Sequence, residues 1–280
     1  MILGSAGMLG HIVYTYLNET KKYQIVDVSF STKLNDNSFS LNVTDKCAVE
    51  AFIKEEKPDI VINCIGVLIK GSQNDPSNAI YINSFFPHQL SKLMRETGGK
   101  LIHISTDCVF SGKKGNYIET DFRDADDTYG RSKALGEIIN DQDLTLRTSI
   151  IGPEIKENGE GLFHWFMKQS GEINGYTKSF WGGVTTLELA KAIDATIEQN
   201  TIGIVHITNG LSISKFELIS IFKKIWKVEH ITINPIEGKQ VDKSLICTRK
   251  DFYHSVPTYK EMLKSLYIFM KAHHNLYKQH

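Results

Sequence analysis

The feature that most constrains this chain lies in its first ten residues, MILGSAGMLG, where Gly4, Gly7 and Gly10 follow a short apolar run and open a helix-like segment, HIVYTYLNE. A backbone without Cβ atoms can turn tightly out of a strand, approach a ligand closely and let a helix pack on a sheet. The start of such a helix offers N–H groups and the positive end of its dipole to a pyrophosphate. The spacing is G-x-x-G-x-x-G rather than G-x-G-x-x-G. Glycines alone therefore do not separate a ligand-binding turn from a plain strand-to-helix connection. Only Met1, Ile2 and Leu3 precede the first glycine. Strands usually have about five or six residues, so this one is short or begins upstream.

The following segments supply the sheet that such a turn needs. QIVDVSFS (24–31) reads as a second strand. Asp27 stands 17 residues beyond Gly10, near where an acidic residue would meet an adenosine ribose, or else in mid-strand. A short strand follows, then a cap at Thr44 or Asp45 and a helix with Val49, Phe52 and Ile53 at apolar spacing. PDIVINCIG (58–66) and the LIHIS of GGKLIHISTDCVF (98–110) are near-continuous apolar runs, as expected for parallel strands buried on both faces. A helix from about Pro76 to Glu96 separates them, with Asn83 at its middle, and LTLRTSIIG (144–152) is a further strand. Strands alternating with helices imply an α/β, doubly wound, mostly parallel sheet of Rossmann-like design. Ligands in such sheets sit beyond the strand carboxyl ends, where Gly66, Ser105 and Thr106 fall.

After residue 150 the alternation loosens. GLFHWFMKQ reads as a helix, SFWGGVTT as a turn or loop, LELAKAIDATIEQ as a helix and GIVHITN (203–209) as a strand. An amphipathic helix with Phe216, Ile219, Phe222 and Ile225 on its apolar side comes next, and a last one carries Met262, Leu263, Leu266 and Met270 at core spacing. Residues 1–150 are expected to form the dinucleotide-binding domain and 151–280 a smaller α+β substrate-binding part, with chain crossing between the two.

Composition excludes several classes of function. The 32 basic and 32 acidic side chains cancel, so nothing marks a partner that is nucleic acid or anionic lipid. No apolar run is long enough to span a bilayer, and no signal peptide opens the chain, so a cytoplasmic protein is expected. Cys47, Cys64, Cys108 and Cys247 are scattered without a C-x-x-C, which indicates neither zinc nor disulfides. His273 and His274 are adjacent and project in different directions, a poor metal pair.

The chemistry is carried by Tyr129-Gly-Arg-Ser-Lys133. Tyrosine and lysine four apart share one helix face, where the ammonium would favour the phenolate and bring its pKa toward neutrality for proton donation. The hydroxyls of Ser105 and Thr106 could hold a substrate carbonyl oxygen. Alone, the pair could equally be an exposed tyrosine beside a lysine; downstream of a glycine turn and a strand ending in hydroxyls, it reads as a reductase site. Arg147 reads as a structural charge on a strand, with a phosphate contact as the alternative.

Taken in order, GSAGMLG, NCIG, STDCVF, YGRSK and LRTS resemble the extended short-chain dehydrogenase/reductases, and within them the dTDP-4-dehydrorhamnose reductase family. The resemblance covers most of residues 1–200 and continues more weakly beyond. It implies reduction by NADPH or NADH of the 4-keto group of a nucleotide-linked 6-deoxy sugar, feeding a surface polysaccharide. Tyr129 would be the proton donor, Lys133 would bind the nicotinamide ribose and tune Tyr129, and Thr106 would hydrogen-bond the reacting oxygen. Gly4, Gly7, Met8, Leu9 and Gly10 would line the pyrophosphate. Asp27, Asn42 and Val43 would border the adenosine, and Cys64, Ile65, Gly66 and Val67 the ribose and nicotinamide. Asp107, Asn83 and Trp181 would lie on the substrate side.

The chain departs from the family pattern at Cys108, at Ile150 and Ile151, and in SFWGGVTT, all on the side that would shape the sugar pocket. The sugar is therefore open between dTDP-4-dehydrorhamnose and a relative such as a UDP-linked N-acetylated 6-deoxy-4-ketohexose. Family members that dimerise through magnesium use carboxylates that cannot be placed here, so no metal is expected and a homodimer is left open. The competing readings are an epimerase or dehydratase that retains its NAD, and a non-catalytic dinucleotide-binding subunit of another enzyme.

Overall fold

Apolar runs such as IVIN and LIHI are buried on both faces only if helices cover each side of their sheet. The computed structural model, which describes residues 1–277, has this arrangement. Seven strands pair in parallel in the order Gly203–His206, Leu144–Arg147, Lys100–Ile104, Ile60–Asn63, Ile2–Leu3, Asp27–Ser29 and Phe39–Ser40. Asp27, Ile2, Ile62, Ile102 and Leu144 lie side by side across them. Successive residues point to opposite faces. Ile2, Ile62 and Ile102 join one core with Ile12, Val13 and Leu17 of the first helix, Gly10–Thr20. Leu3, Val61 and Leu101 join the other with Val49, Ile53, Phe86 and Leu90. Strand order reverses between Ile2–Leu3 and Ile60–Asn63, and that switch point opens the crevice in which doubly wound sheets bind ligands.

The second half of the chain completes this body. Helix Thr186–Glu198 packs on Gly10–Thr20, and Gly203–His206 is the edge strand beside Leu144–Arg147. The rest forms three small sheets with helices Leu162–Met167, Lys215–Trp226 and Tyr259–Ala272 around them. Lys215–Trp226 and Tyr259–Ala272 each start on a capping box, Ser214 with Glu217 and Thr258 with Glu261.

Local departures from the sequence pattern have tertiary causes. The helix expected from Pro76 to Glu96 contains a π-helical turn, Tyr81–Phe85, that carries Asn83 toward neighbouring backbone. The helix that carries Tyr129 and Lys133 runs from Thr128 to Leu135, and Gly136 after it lies against the Asn83 carbonyl with no room for a Cβ. The second strand is Asp27–Ser29 only. SFWGGVTT, read as a loop, forms strands Ser179–Trp181 and Val184–Thr185, joined through Gly183, whose Cβ would meet the Ser149 carbonyl.

Behind the crevice, Arg147 and Glu137 form an ion pair with side chains 1% and 0% exposed. Arg147 donates from Nε and Nη2 to the two carboxylate oxygens at 2.8 and 2.6 Å, Ser105 donates at 2.7 Å and Arg123 at 3.1 Å. The guanidinium also stands 5.0 Å from the Phe110 ring centre. Burial pushes the Glu137 pKa up, but Arg147 with these hydrogen bonds outweighs it and holds the carboxyl below its usual value. Arg147 is thus structural, and the phosphate contact is set aside. Glu137→Ala would strand the buried guanidinium and is expected to cost about 3–5 kcal/mol, read by urea unfolding; a loss under about 1 kcal/mol would contradict this account.

Candidate active site

The glycine turn is built by close approach. Gly4 takes φ +82°, favourable only for glycine, and its amide and that of Ser5 both donate to the Val28 carbonyl, at 2.8 and 3.0 Å. A Cβ on Gly10 would run into the Gly4 carbonyl, so the third glycine lets the helix start directly over the turn. His11, fully buried, accounts for one more atom of the turn: its Nδ1–H donates to the Gly7 carbonyl at 2.7 Å, and its bare Nε2 accepts from the Tyr277 hydroxyl at 3.0 Å. Burial pushes the His11 pKa down to about 4, so the ring is neutral in this role.

Above the turn lies a cleft of two lobes. The larger, about 630 Å³, is lined by Gly7, Met8, Leu9, Cys64, Ile65 and Gly66 on one side and by Thr106, Asp107, Tyr129 and Lys133 on the other. The smaller, about 390 Å³, is lined by Gly4, Asn42, Val43 and Val67 together with Ser29 to Thr32. The lobes share Gly7, Cys64, Ile65, Gly66 and Lys156 at their waist. An elongated cleft with a glycine cradle at its waist and a helix start beneath it fits a dinucleotide.

At the catalytic end, Lys133 is 4% exposed and donates to the Ile104 carbonyl at 2.6 Å. Its other neighbour is His103 Nε2 at 3.4 Å, and His103 is in turn held by the Asn63 amide at 3.2 Å. Burial, followed by the nearby Lys133, keeps the His103 pKa well below its usual value. Thr106 Oγ1 accepts the Cys108 amide and donates to Asp107, both at 3.1 Å. Burial raises the pKa of Asp107, and pushes that of the Cys108 thiol up to about 12.

Asn83 joins the two sides. Its side chain accepts from the Val67 amide and donates to the Val67 carbonyl, both at 2.9 Å, and donates to the Ser132 hydroxyl at 3.1 Å. It therefore holds the loop after strand Ile60–Asn63 against the helix that carries Tyr129 and Lys133.

Five expectations are corrected. Asp27 does not border the adenosine lobe: it is 4% exposed at the base of its strand, and its carboxylate accepts from Ser5 at 3.1 Å and Ser38 at 2.6 Å. Gly10 serves helix packing and lines neither lobe. Asn83 does not line the substrate side, since its amide is spent on Val67 and Ser132. Trp181 is a core residue, 8% exposed with its ring centre 5.6 Å from that of Tyr259. Lys133 does not bring the Tyr129 phenol toward neutrality; burial raises the phenol pKa, with the Thr106 hydroxyl as the hydrogen-bonding influence against it. Sequence reading missed Lys156 and Tyr277, which distant chain brings to the turn and the cleft, and His11 and Ser29, which stand on the first helix and the second strand beside the turn.

Burial lowers the Lys133 pKa to about 8, against 10.5 ordinarily, with Glu137 and then Cys64 opposing the shift. Between those values the unfolded chain binds more protons, so this residue makes the protein more stable as pH rises from about 8 toward 10.5. Lys133→Met is expected to flatten that part of the stability–pH curve in chemical unfolding. An unchanged slope would place the ammonium in water.

Comparison with known proteins agrees with this geometry. A family model described as the RmlD substrate binding domain matches residues 1–247. A dTDP-4-keto-6-deoxy-D-glucose reductase of Streptomyces niveus is 23% identical over 251 residues, 86% of this chain and 83% of the relative. Methionine adenosyltransferase 2 subunit beta of Xenopus laevis is 24% identical over 255 residues, 86% of this chain and 76% of the relative. The solved structure of a dTDP-4-dehydrorhamnose reductase from Bacillus anthracis in complex with NADP shares the fold, with TM-score 0.81, 23% identity and coverage of 96% and 98% of the two chains. With the family match spanning so much of the chain, and a glycine-cradled cleft closed by Thr106, Tyr129 and Lys133, this protein belongs to the RmlD substrate binding domain family, that of the dTDP-4-dehydrorhamnose reductases.

Proposed function

We propose that this chain is an NAD(P)H-dependent oxidoreductase that reduces the 4-keto group of a nucleotide-linked 6-deoxy sugar. The observation that carries the reading is convergence: Thr106, Tyr129 and Lys133 line the same lobe as Gly7 and Gly66 of the dinucleotide cradle. The reduced nicotinamide, when bound, supplies the hydride. As hydride reaches the sugar carbon, the carbonyl oxygen gains negative charge that must be neutralised. The Tyr129 phenol gives its proton to that oxygen, which as it becomes an alkoxide is a stronger base than the phenolate left behind. Thr106 turns its hydroxyl from Asp107 to donate to the same oxygen. Lys133, anchored on the Ile104 carbonyl, offers its remaining hydrogens to a ribose hydroxyl. Asn83 sets the position of both sides without touching ligand, and residues 151–280 contribute Glu154, Ile155 and Gly161 to the sugar end.

The cleft's partner is thus a nucleotide sugar, and its product would feed a surface polysaccharide. Among the described residues no helix is long and apolar enough to cross a membrane.

The test is turnover. The purified chain should oxidise NADPH or NADH when given a 4-keto-6-deoxy sugar nucleotide, followed by nicotinamide absorbance. Tyr129→Phe should lower kcat by at least about a hundredfold while cofactor affinity stays within about twofold. Full activity in that variant would remove the proposed acid. The likeness to a protein named as a subunit of another enzyme favours one other reading, a dinucleotide-binding subunit. Cofactor binding without turnover on a panel of sugar nucleotides would support that reading instead.

A further inference from the structure

Two fully buried polar side chains stand behind the catalytic lysine without lining either lobe of the cleft. Asn63 and His103, both 0% exposed, are cross-strand partners on adjacent inner strands whose other positions are the apolar Val61, Ile62, Leu101, Ile102 and Ile104. Polar groups in such surroundings cost stability unless they are paired, and here the pairing has a direction. The Ile65 amide donates to Asn63 Oδ1 at 3.1 Å, so Nδ2 is the end that meets His103 Nδ1 at 3.2 Å. Nδ2 can only donate; Nδ1 therefore accepts, and the ring hydrogen sits on Nε2. That N–H faces Lys133 Nζ at 3.4 Å. An ammonium has three donors and no acceptor, and would meet it donor to donor. An uncharged amine takes it on its lone pair, gives one hydrogen to the Ile104 carbonyl 2.6 Å away and keeps the other for the cleft.

The other titratable groups around this contact leave it in force. Glu137, beyond the end of the lysine's own helix, favours the ammonium, but its oxygens are taken by Arg147, Ser105 and Arg123. Cys64, from the loop after strand Ile60–Asn63, is a neutral thiol whose pKa burial pushes up to about 12. Burial likewise raises the pKa of Tyr129, one helical turn before Lys133. On the imidazole side, His88 of helix Phe86–Thr97 is turned to the Leu135 carbonyl at 2.8 Å.

We propose that Asn63 and His103 are a positioning pair for Lys133: the amide fixes the imidazole hydrogen on Nε2 and aims it at the lysine lone pair, so that Lys133 works in the cleft as an amine able to release its proton rather than as a fixed cation. The consequence for turnover rests on the reductase reading of the cleft; the proton arrangement does not, and is read on the free chain. Nitrogen-15 NMR of the histidine rings, with His103 assigned by its loss in His103→Gln, should show the neutral Nε2–H tautomer. Its signals should move with pH as Lys133 titrates, with a midpoint of about 8, and Lys133→Met should remove that step. Chemical unfolding reads the same coupling, because stability rises with pH once the folded chain begins to lose the Lys133 proton that the unfolded chain still holds. His103→Phe removes the N–H and should move the start of that rise up by about one pH unit. His103→Gln, whose amide can accept from Asn63 and donate to Lys133, should leave it in place. A histidine with only a packing role would lower stability equally at every pH. With a 4-keto-6-deoxy sugar nucleotide, the pH profile of kcat should move to higher pH in His103→Phe and stay in His103→Gln. An Nδ1–H tautomer, an imidazolium, a His103 signal indifferent to Lys133→Met, or the same start of the rise in the parent chain and His103→Phe would overturn the proposal. The expected tautomer and titration without turnover of any sugar nucleotide would uphold the pairing while removing the reductase reading.

Discussion

The working geometry of this protein depends on one backbone approach, the start of the loop after Leu135 against the π-helical turn around Asn83. Gly136 has no Cβ, so its backbone reaches the Asn83 carbonyl, while the Asn83 amide spans from Ser132 to both backbone groups of Val67. That contact fixes how far Tyr129 and Lys133 stand from the loop Cys64–Val67 on the dinucleotide side. Any side chain at position 136 would push the two apart. A shift of about 1 Å is enough to weaken a reaction that needs donor and acceptor held in line.

A second constraint comes from below. Ser105 and Glu137 flank the catalytic strand and helix, and the Arg147 guanidinium binds both through a single carboxylate. A buried pair of this kind adds little net stability over apolar packing, because desolvation cancels much of the attraction. Its value here is positional: the donors that surround Glu137 come from strand Leu144–Arg147, from Ser105 just after strand Lys100–Ile104 and from the loop at Arg123, so the carboxylate ties the end of that strand to the end of helix Thr128–Leu135. The same burial raises the Tyr129 pKa and lowers that of Lys133, because the charged form of each loses its hydration there.

The cofactor end follows a different logic, in which hydrogen bonds are diverted from the ligand. Asp27 looks in sequence like the residue that would meet a ribose, but inside the fold Ser5 and Ser38 both donate to its Oδ2. His11 and Tyr277, more than 260 residues apart, meet behind the turn, where His11 holds the Gly7 carbonyl, so Tyr277 takes part in shaping the glycine turn. Neither fact has a signal in local pattern, because each depends on where distant chain returns.

The sequence by itself determined the parallel sheet, the glycine turn and the Tyr129/Lys133 helix, since near-continuous apolar runs, positions without Cβ and a four-residue helical spacing are local signals. It also placed Thr106 beside them, because strand ends in a doubly wound sheet share one edge. Only the tertiary structure decided that Trp181 is core, that Asn83 is a brace, that Gly10 serves packing and that Ser29 rather than Asp27 faces the smaller lobe of the cleft. Those outcomes depend on which partner reaches a polar group first, and that is settled by packing between segments far apart in the chain.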